Sequence, residues 1–418
     1  MSRPTQPKRR SDRPKLAIVF SGGGARGAYE AGVIKYLRED LAGDLGGHIG
    51  IDIVCGTSVG ALHACFLASM ADNPGQQGKL AVQRWEELVL EEIVSFGLKD
   101  FLRLPRLLLG RAQVEEMEAG ERRLPGVIQT RNLEKLVRRM MPWTGIRRNL
   151  EAGHLESLAV SATDIASGKT VVFIDSEKPV PPWSADPHVR ALPVRIGPRQ
   201  CLASAAIPLL FPAVEVNERF YCDGGLRQNT PLSPALRLGA DKVLVIALMN
   251  EKERSVPIDI VGPTTSPGAA FLVGKILNAF LLDHLDYDLH RMRRLNDLMR
   301  AIDELGDEKL KQRVRELTTG GRGSPYKIVE EKVLAPSVDL GKLAGEFARA
   351  GRFKGSGGGT GIRLLRRLAT DAGGEADLLS YIMFDGNFAS ELAQIGYEDT
   401  RRRHDELCRF LTDCVDRE

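Results

Sequence analysis

An α/β fold built on a mainly parallel sheet is what this 418-residue chain predicts, and three observations carry the prediction. The runs at 16–20, 51–55 and 242–249, apolar but for Asp52 and Lys242 near the start of the last two, are too short for helices and lack alternation, so they read as strands buried on both faces. The first two run into glycine-containing turns and then into helical segments, at 28–41 and 59–70. After about residue 250 the texture changes to long helical segments separated by glycine-rich breaks at 319–324 and 351–361.

The bulk numbers narrow the class. A hydrophobic share of 43% and a charged share of 27% are those of a globular protein able to bury a large core. A net charge of +3 does not single out nucleic acid or any charged partner. No apolar run reaches the roughly 18 residues of a membrane-spanning helix. The first 14 residues, with Lys8, Arg9, Arg10 and Arg13, lack the apolar stretch of a secretory signal and read as a basic, solvated arm. Cys55, Cys65, Cys201, Cys222, Cys408 and Cys414 lie mostly in apolar segments without a C-x-x-C, so reduced, buried thiols and a cytoplasmic setting are expected, and no zinc site.

Taken in order, the strand at 16–20 leads into Ser21-Gly22-Gly23-Gly24-Ala25-Arg26-Gly27. A glycine loop opening a helix gathers backbone N–H groups that suit negative charge. Gly22, Gly24 and Gly27 also satisfy the dinucleotide spacing G-x-G-x-x-G, but the acidic residue wanted at the end of the second strand is missing, since Asp52 lies at its beginning. That second strand ends in Gly56-Thr57-Ser58-Val59-Gly60. A serine between glycines at a strand-to-helix turn can hold its hydroxyl exposed at the positive end of the helix, which is where a nucleophile is activated. His63 lies on that same helix, an awkward place for a base, and reads as a packed side chain.

Helical patterns follow at 78–92 and 132–141, with a basic amphipathic stretch at 93–111 between them that fits either a membrane surface or a helix packed on the core. Strands are expected at 158–163 and 169–174, and a proline-rich loop at 179–187. Phe220-Tyr221-Cys222-Asp223-Gly224-Gly225 reads as a short strand ending in a carboxylate, with glycines that leave it unobstructed. Helices are expected at 269–301, 307–317, 340–349, 362–372, 376–384 and 387–414, and the glycine tract 355–359 reads as a linker.

The glycine loop Gly22-Gly23-Gly24-Ala25-Arg26-Gly27, the G-x-S-x-G at Ser58 and the Asp223-Gly224-Gly225 turn, in that order, resemble the patatin-like phospholipases, a family of serine lipid acyl hydrolases. The resemblance covers about residues 15–250 and extends to Ala203-Ser204-Ala205-Ala206-Ile207-Pro208 and Asn229-Thr230-Pro231. It implies a three-layer α/β/α fold over 15–250, behind a basic arm at 1–14 and ahead of a mostly helical region at 251–418. It further implies a Ser–Asp dyad, with Ser58 as nucleophile, Asp223 as general base, and Gly22, Gly23, Gly24 and Arg26 in the oxyanion loop. The implied reaction cleaves a fatty-acyl ester of a phospholipid or lysophospholipid through a Ser58 acyl-enzyme, without metal or other cofactor. An acyltransferase using the same dyad and a non-catalytic lipid-binding protein are the alternatives. Residues 93–109 and 269–285 are candidate lid or membrane-docking segments; oligomeric state is left open.

Overall fold

The computed structural model describes residues 13–90, 115–116, 122–124, 131–180, 183–184, 186–208, 211–250, 285–354 and 377–416. Eleven strands form one sheet: β1 Leu16–Phe20, β2 Ile53–Thr57, β3 Glu115–Glu116, β4 Arg122–Leu124, β5 Ser157–Asp164, β6 Thr170–Ser176, β7 Val189–Pro193, β8 Ala213–Val216, β9 Arg219–Asp223, β10 Lys242–Ile246 and β11 Glu330–Leu334. Its order is β11-β10-β1-β2-β5-β9-β8-β4-β3, with β6 and β7 branching from β5. From β11 to β5 every pairing is parallel, and beyond β5 the strands run antiparallel apart from the β6–β7 pair.

Because successive side chains of a strand point to opposite faces, a strand buried on both sides must be apolar throughout. β1 obeys this, β2 and β10 depart from it only at Thr57 and Lys242, and β5 departs from it at Ser157, Ser161, Thr163 and Asp164. Leu16, Ile18, Phe20, Val54, Leu244 and Ile246 face one core, shared with helices Ala28–Arg38, Val59–Ser69 and Gly386–Arg402. Ala17, Val19, Ile53, Cys55, Val243 and Val245 face a second core, under helices Leu232–Arg237 and Leu285–Leu305. Helix, sheet and helix therefore form three layers, and the chain after residue 285 contributes to both outer layers and to the sheet edge. All six cysteines are unpaired, and five of them are buried.

Most of the expected strands and helices are found within a few residues of where the pattern puts them, but the helix expected at 28–41 is broken into Ala28–Arg38 and Asp40–Asp44, and the one expected at 387–414 into Gly386–Arg402 and His404–Leu411. The second strand starts at Ile53 and runs through Gly56 to Thr57, which leaves Ser58 as the first residue off the strand. Strands β7, β8 and β11 were not expected. Each carries charge or proline (Val-Arg-Ala-Leu-Pro, Ala-Val-Glu-Val, Glu-Glu-Lys-Val-Leu) and only the apolar partner strand makes it a strand. Of the basic arm, Arg13 and Pro14 are described, and Arg13 pairs with buried Asp52 at 2.8 Å. The amphipathic stretch 93–111, the segment 269–284 and the helix expected at 362–372 lie outside the described residues.

The Gly386–Arg402 helix is seated on Ala28–Arg38 through glycines. A Cβ on Gly32 would collide with the Ala393 carbonyl, and one on Gly396 with the Tyr29 carbonyl, so both positions let two backbones touch. Asp385 fixes the start of the same helix by accepting from the Asn387 and Phe388 N–H groups. Gly396→Ala is expected to cost about 1–3 kcal/mol through overpacking, read as a lowered midpoint in thermal or urea unfolding. An unchanged midpoint would mean that the two helices have slack.

Candidate active site

The position of the candidate site follows from strand register. β5 is the longest strand, and its first five residues pair with β2 while its last three pair with β9. β2 runs parallel to it and β9 antiparallel, so the two strands arrive along one edge of β5 from opposite ends. Their C-terminal residues abut there: Thr57 lies opposite Ser161, and Asp223 opposite the next residue, Ala162. Ser58 and Asp223, far apart in sequence, are thus set side by side.

Ser58 is the residue at which β2 turns into the Val59–Ser69 helix, and its backbone takes φ 55° and ψ −123°. That region is one an L-residue occupies at a cost of about 1–3 kcal/mol, and it is held by what surrounds it. A Cβ on Gly60 would stand 2.5 Å from the Phe20 carbonyl oxygen, and one on Gly56 would run into the backbone of Gly60. Both glycines are therefore required by close approach of the chain to itself. The Ser58 N–H donates to Ser204 Oγ at 2.9 Å, and that hydroxyl donates to the Ser161 carbonyl at 2.6 Å. Ser204 so ties the elbow to β5. Nothing about its spacing marks it in sequence; it lies in the Ala203–Pro208 part of the resemblance without a role attached.

Asp223 is 1% exposed. Its Oδ1 accepts from the Gly225 N–H at 2.7 Å. Its Oδ2 is sealed from solvent and meets no partner in hydrogen-bonding geometry. The Ser58 side chain is still close enough to favour the ionised form. Burial outweighs it and the Gly225 N–H, and pushes the carboxyl up to about 6. Gly224 lets the turn close, since a Cβ there would strike the Ser161 carbonyl and come within 3.0 Å of Thr57 Cγ2.

The glycine loop lies against both. The Gly22 N–H donates to the Asn229 carbonyl at 3.1 Å, and Asn229 Nδ2 returns a bond to the Gly22 carbonyl at 3.1 Å. Gly22 is thereby clamped and its N–H engaged, whereas among the described residues neither the Gly23 nor the Gly24 N–H has an acceptor. Gly24 takes φ 56° and packs on the Tyr381 carbonyl. Arg26 is 4% exposed, donates through Nε to Ser380 Oγ at 2.7 Å, and stacks on the Tyr381 ring at 4.1 Å. These contacts tie the loop to residues 380–381, which no local pattern could reveal.

His63 is a core residue. Its Nε2 donates to the Gly27 carbonyl at 2.9 Å, its ring stacks between Phe20 and Trp85, and burial pushes it down to about 4. Trp85 Nε1 also approaches Nε2 at 3.3 Å, but a nitrogen already donating cannot accept, so the shorter bond to Gly27 prevails. Glu30 Oε2 lies 3.7 Å away; burial raises that carboxyl and lowers the imidazole, so it disfavours the charged form of both.

Beside Ser58 opens a narrow pocket of about 50 Å³ lined largely by apolar groups, among them Leu62, Val137, Ile207, Phe211 and Phe384. Phe384 comes from the C-terminal region, where it stacks on Trp85. Among the described residues no cluster of side chains suited to a metal ion occurs, and no helix is long and apolar enough to cross a membrane.

The model of the patatin-like phospholipase family matches residues 18–236, just over half of the chain. The chain belongs to the patatin-like phospholipase family. Its curated relatives include uncharacterised NTE family proteins of Mycobacterium tuberculosis and Mycobacterium bovis, 26% identical over 243 residues, or 57% of this chain and 51% of theirs. A cGAMP-activated phospholipase of Pseudomonas aeruginosa is 26% identical over 215 residues, or 51% of this chain and 53% of its own. The chain thus spans about half the length of the curated relatives it matches. Among solved structures, VipD from Legionella pneumophila aligns at 12% identity and a TM-score of 0.29, over 93% of this chain and 91% of that one. The type III effector ExoU aligns at 16% and 0.23, over 88% and 78%. Scores this low add nothing to the description of this patatin-like protein.

The burial of Asp223 has a consequence for stability. Its folded value of about 6 lies above the ordinary 3.8, so the folded state favours the protonated form. The stability this gives is fully present below pH 3.8 and is lost as pH rises through about 6. Asp223→Asn, which keeps an oxygen for the Gly225 N–H, is expected to raise stability by about 2–3 kcal/mol at pH 8 and by little at pH 4. Thermal unfolding of both proteins across that range checks it; a gain of equal size at both pH values would point to packing instead.

Proposed function

We propose that this patatin-like protein is a lipid acyl hydrolase in which Ser58 is the nucleophile and Asp223 the general base. The observation that carries the reading is the juxtaposition, fixed by β5, of a strained serine at a helix start with a buried carboxylate whose Oδ2 has no other partner. A serine hydroxyl needs a base within reach before it attacks a carbonyl, and a carboxyl titrating near 6 is ionised at neutral pH yet basic enough to take a proton.

In the proposed sequence Asp223 Oδ2 accepts the Ser58 Oγ proton as Oγ bonds to the ester carbonyl carbon. The oxyanion forms against the N–H groups of Gly23 and Gly24, with the Gly22 amide withdrawn to Asn229. The protonated carboxyl then gives its proton to the departing alcohol, leaving an acyl-enzyme. Water, activated by the same carboxylate, releases the fatty acid. Residues 15–250 supply the reacting groups, and residues 380–384 complete the loop support and the pocket. The apolar lining favours an acyl chain over a polar substrate, which agrees with phospholipid or lysophospholipid esters as the substrate class.

A serine-directed fluorophosphonate probe is expected to label the wild-type protein and not Ser58→Ala; equal labelling of the two would overturn the assignment. Asp223→Asn is expected to lower kcat/KM by about 10³–10⁴, the scale seen when a hydrolase base is lost. With lysophospholipid as substrate and product fatty acid measured by mass spectrometry, kcat/KM should rise with pH through about 6, where the base ionises. A flat profile between pH 5 and 8 would remove Asp223 from that role.

A further inference from the structure

Away from the site, residues 285–319 form a helical hairpin whose first helix buries one face among the described residues. The Leu285–Leu305 helix packs on the sheet through Leu285, Leu289, Met292, Asn296 and Met299. The Glu308–Thr319 helix that follows has no buried residue at all. Only Lys311, Val314 and Thr318 are partly buried, and a 12-residue helix with so shallow a packed face is marginal in water, whatever its capping by Asp307 contributes. The hairpin also collects exposed apolar side chains. Of seven large hydrophobics exposed among the described residues, five are here, including Leu298 (56%), Leu305 (88%), Leu310 (47%) and Leu317 (64%). Leu298 and Leu305 are seven residues apart, as are Leu310 and Leu317, so each pair lies on one helix face two turns apart, as in a coiled-coil seam.

We propose that this hairpin pairs two copies of the chain, the Glu308–Thr319 helix of each lying against the outer end of Leu285–Leu305 of the other. Charge selects this occupant. Residues 297–307 carry Asp297, Asp303, Glu304 and Asp307 against the single Arg300, a net −3. Residues 308–319 carry Lys309, Lys311, Arg313 and Arg315 against Glu308 and Glu316, a net +2. A two-fold axis brings the acidic end of one hairpin onto the basic helix of the other, twice over, with the leucines between them. An anionic membrane or a nucleic acid would meet the acidic end with repulsion. Pairs within the hairpin, such as Arg300 with Asp297 at 2.8 Å, are exposed and leave most of this field in place.

The test is sedimentation velocity on the full chain at micromolar concentration and at low and high salt. The wild type is expected at twice the chain mass, weakening with salt. Leu305→Glu with Leu317→Glu should run as one chain, with an unchanged circular dichroism spectrum. Glu304→Lys should weaken pairing at least tenfold, and adding Arg313→Glu, at a cation that is exposed on the second helix, should restore it. A wild type that stays at one chain mass, a double leucine variant that pairs as well as wild type, or leucine-dependent co-sedimentation of a monomer with phosphatidylserine vesicles would each overturn the proposal.

Discussion

The register of β5 is the constraint on which the candidate site depends. One strand offers the same edge to two others, parallel β2 over its first five residues and antiparallel β9 over its last three. Strand pairing is fixed to the residue wherever both faces are buried, because a slip of one would turn every side chain to the wrong core. The placement of Ser58 next to Asp223 therefore inherits the precision of the whole sheet. Two glycines at the Ser58 elbow and one after Asp223 permit the contact, and Ser204 bolts the elbow to the same strand.

From that constraint the electrostatics follow. Asp223 lies where two strands meet in the middle of the sheet and is almost fully buried, so its carboxyl is desolvated and its pKa rises. A surface aspartate would be ionised without being basic, and a fully isolated one would be neutral. The Gly225 N–H and the nearby Ser58 side chain hold Asp223 between these limits. The same burial makes the ionised group a cost to folding. The region thus combines backbone strain, a partnerless carboxylate oxygen and two N–H groups without acceptors, all of which a purely structural turn would relieve.

The region after residue 285 is part of this arrangement. Its Gly386–Arg402 helix lies on Ala28–Arg38, the helix that follows the glycine loop, and residues 380–381 hold Arg26. Through these contacts the loop is held from both ends of the chain. Phe384 then closes one wall of the pocket. Among the described residues the Glu308–Thr319 helix has no buried side chain, and that is where a second copy is proposed to sit.

The sequence by itself determined the buried strands and the turn at Ser58, while the resemblance of its motifs to a family supplied the layering and the role expected of Asp223. A run such as Leu-Ala-Ile-Val-Phe reads as a strand covered on both faces, and Ser58 stands between glycines just past the second such strand, whereas Asp223-Gly224-Gly225 alone reads as an ordinary turn. These are local signals, written in period and backbone freedom, and they survive without knowledge of neighbours. What only the tertiary structure decided were the relations between distant segments. They include the pairing of β11 and β7 with their apolar partners, and Ser204 reaching Ser58. They include the Gly22 amide bound to Asn229, and Arg26 turned to Ser380 and Tyr381 instead of to the loop's open N–H groups. Each depends on which side chain arrives opposite which across many intervening residues. Hydrophobic period and turn chemistry carry no information about that, because they report only the environment a residue requires and not the residue that supplies it.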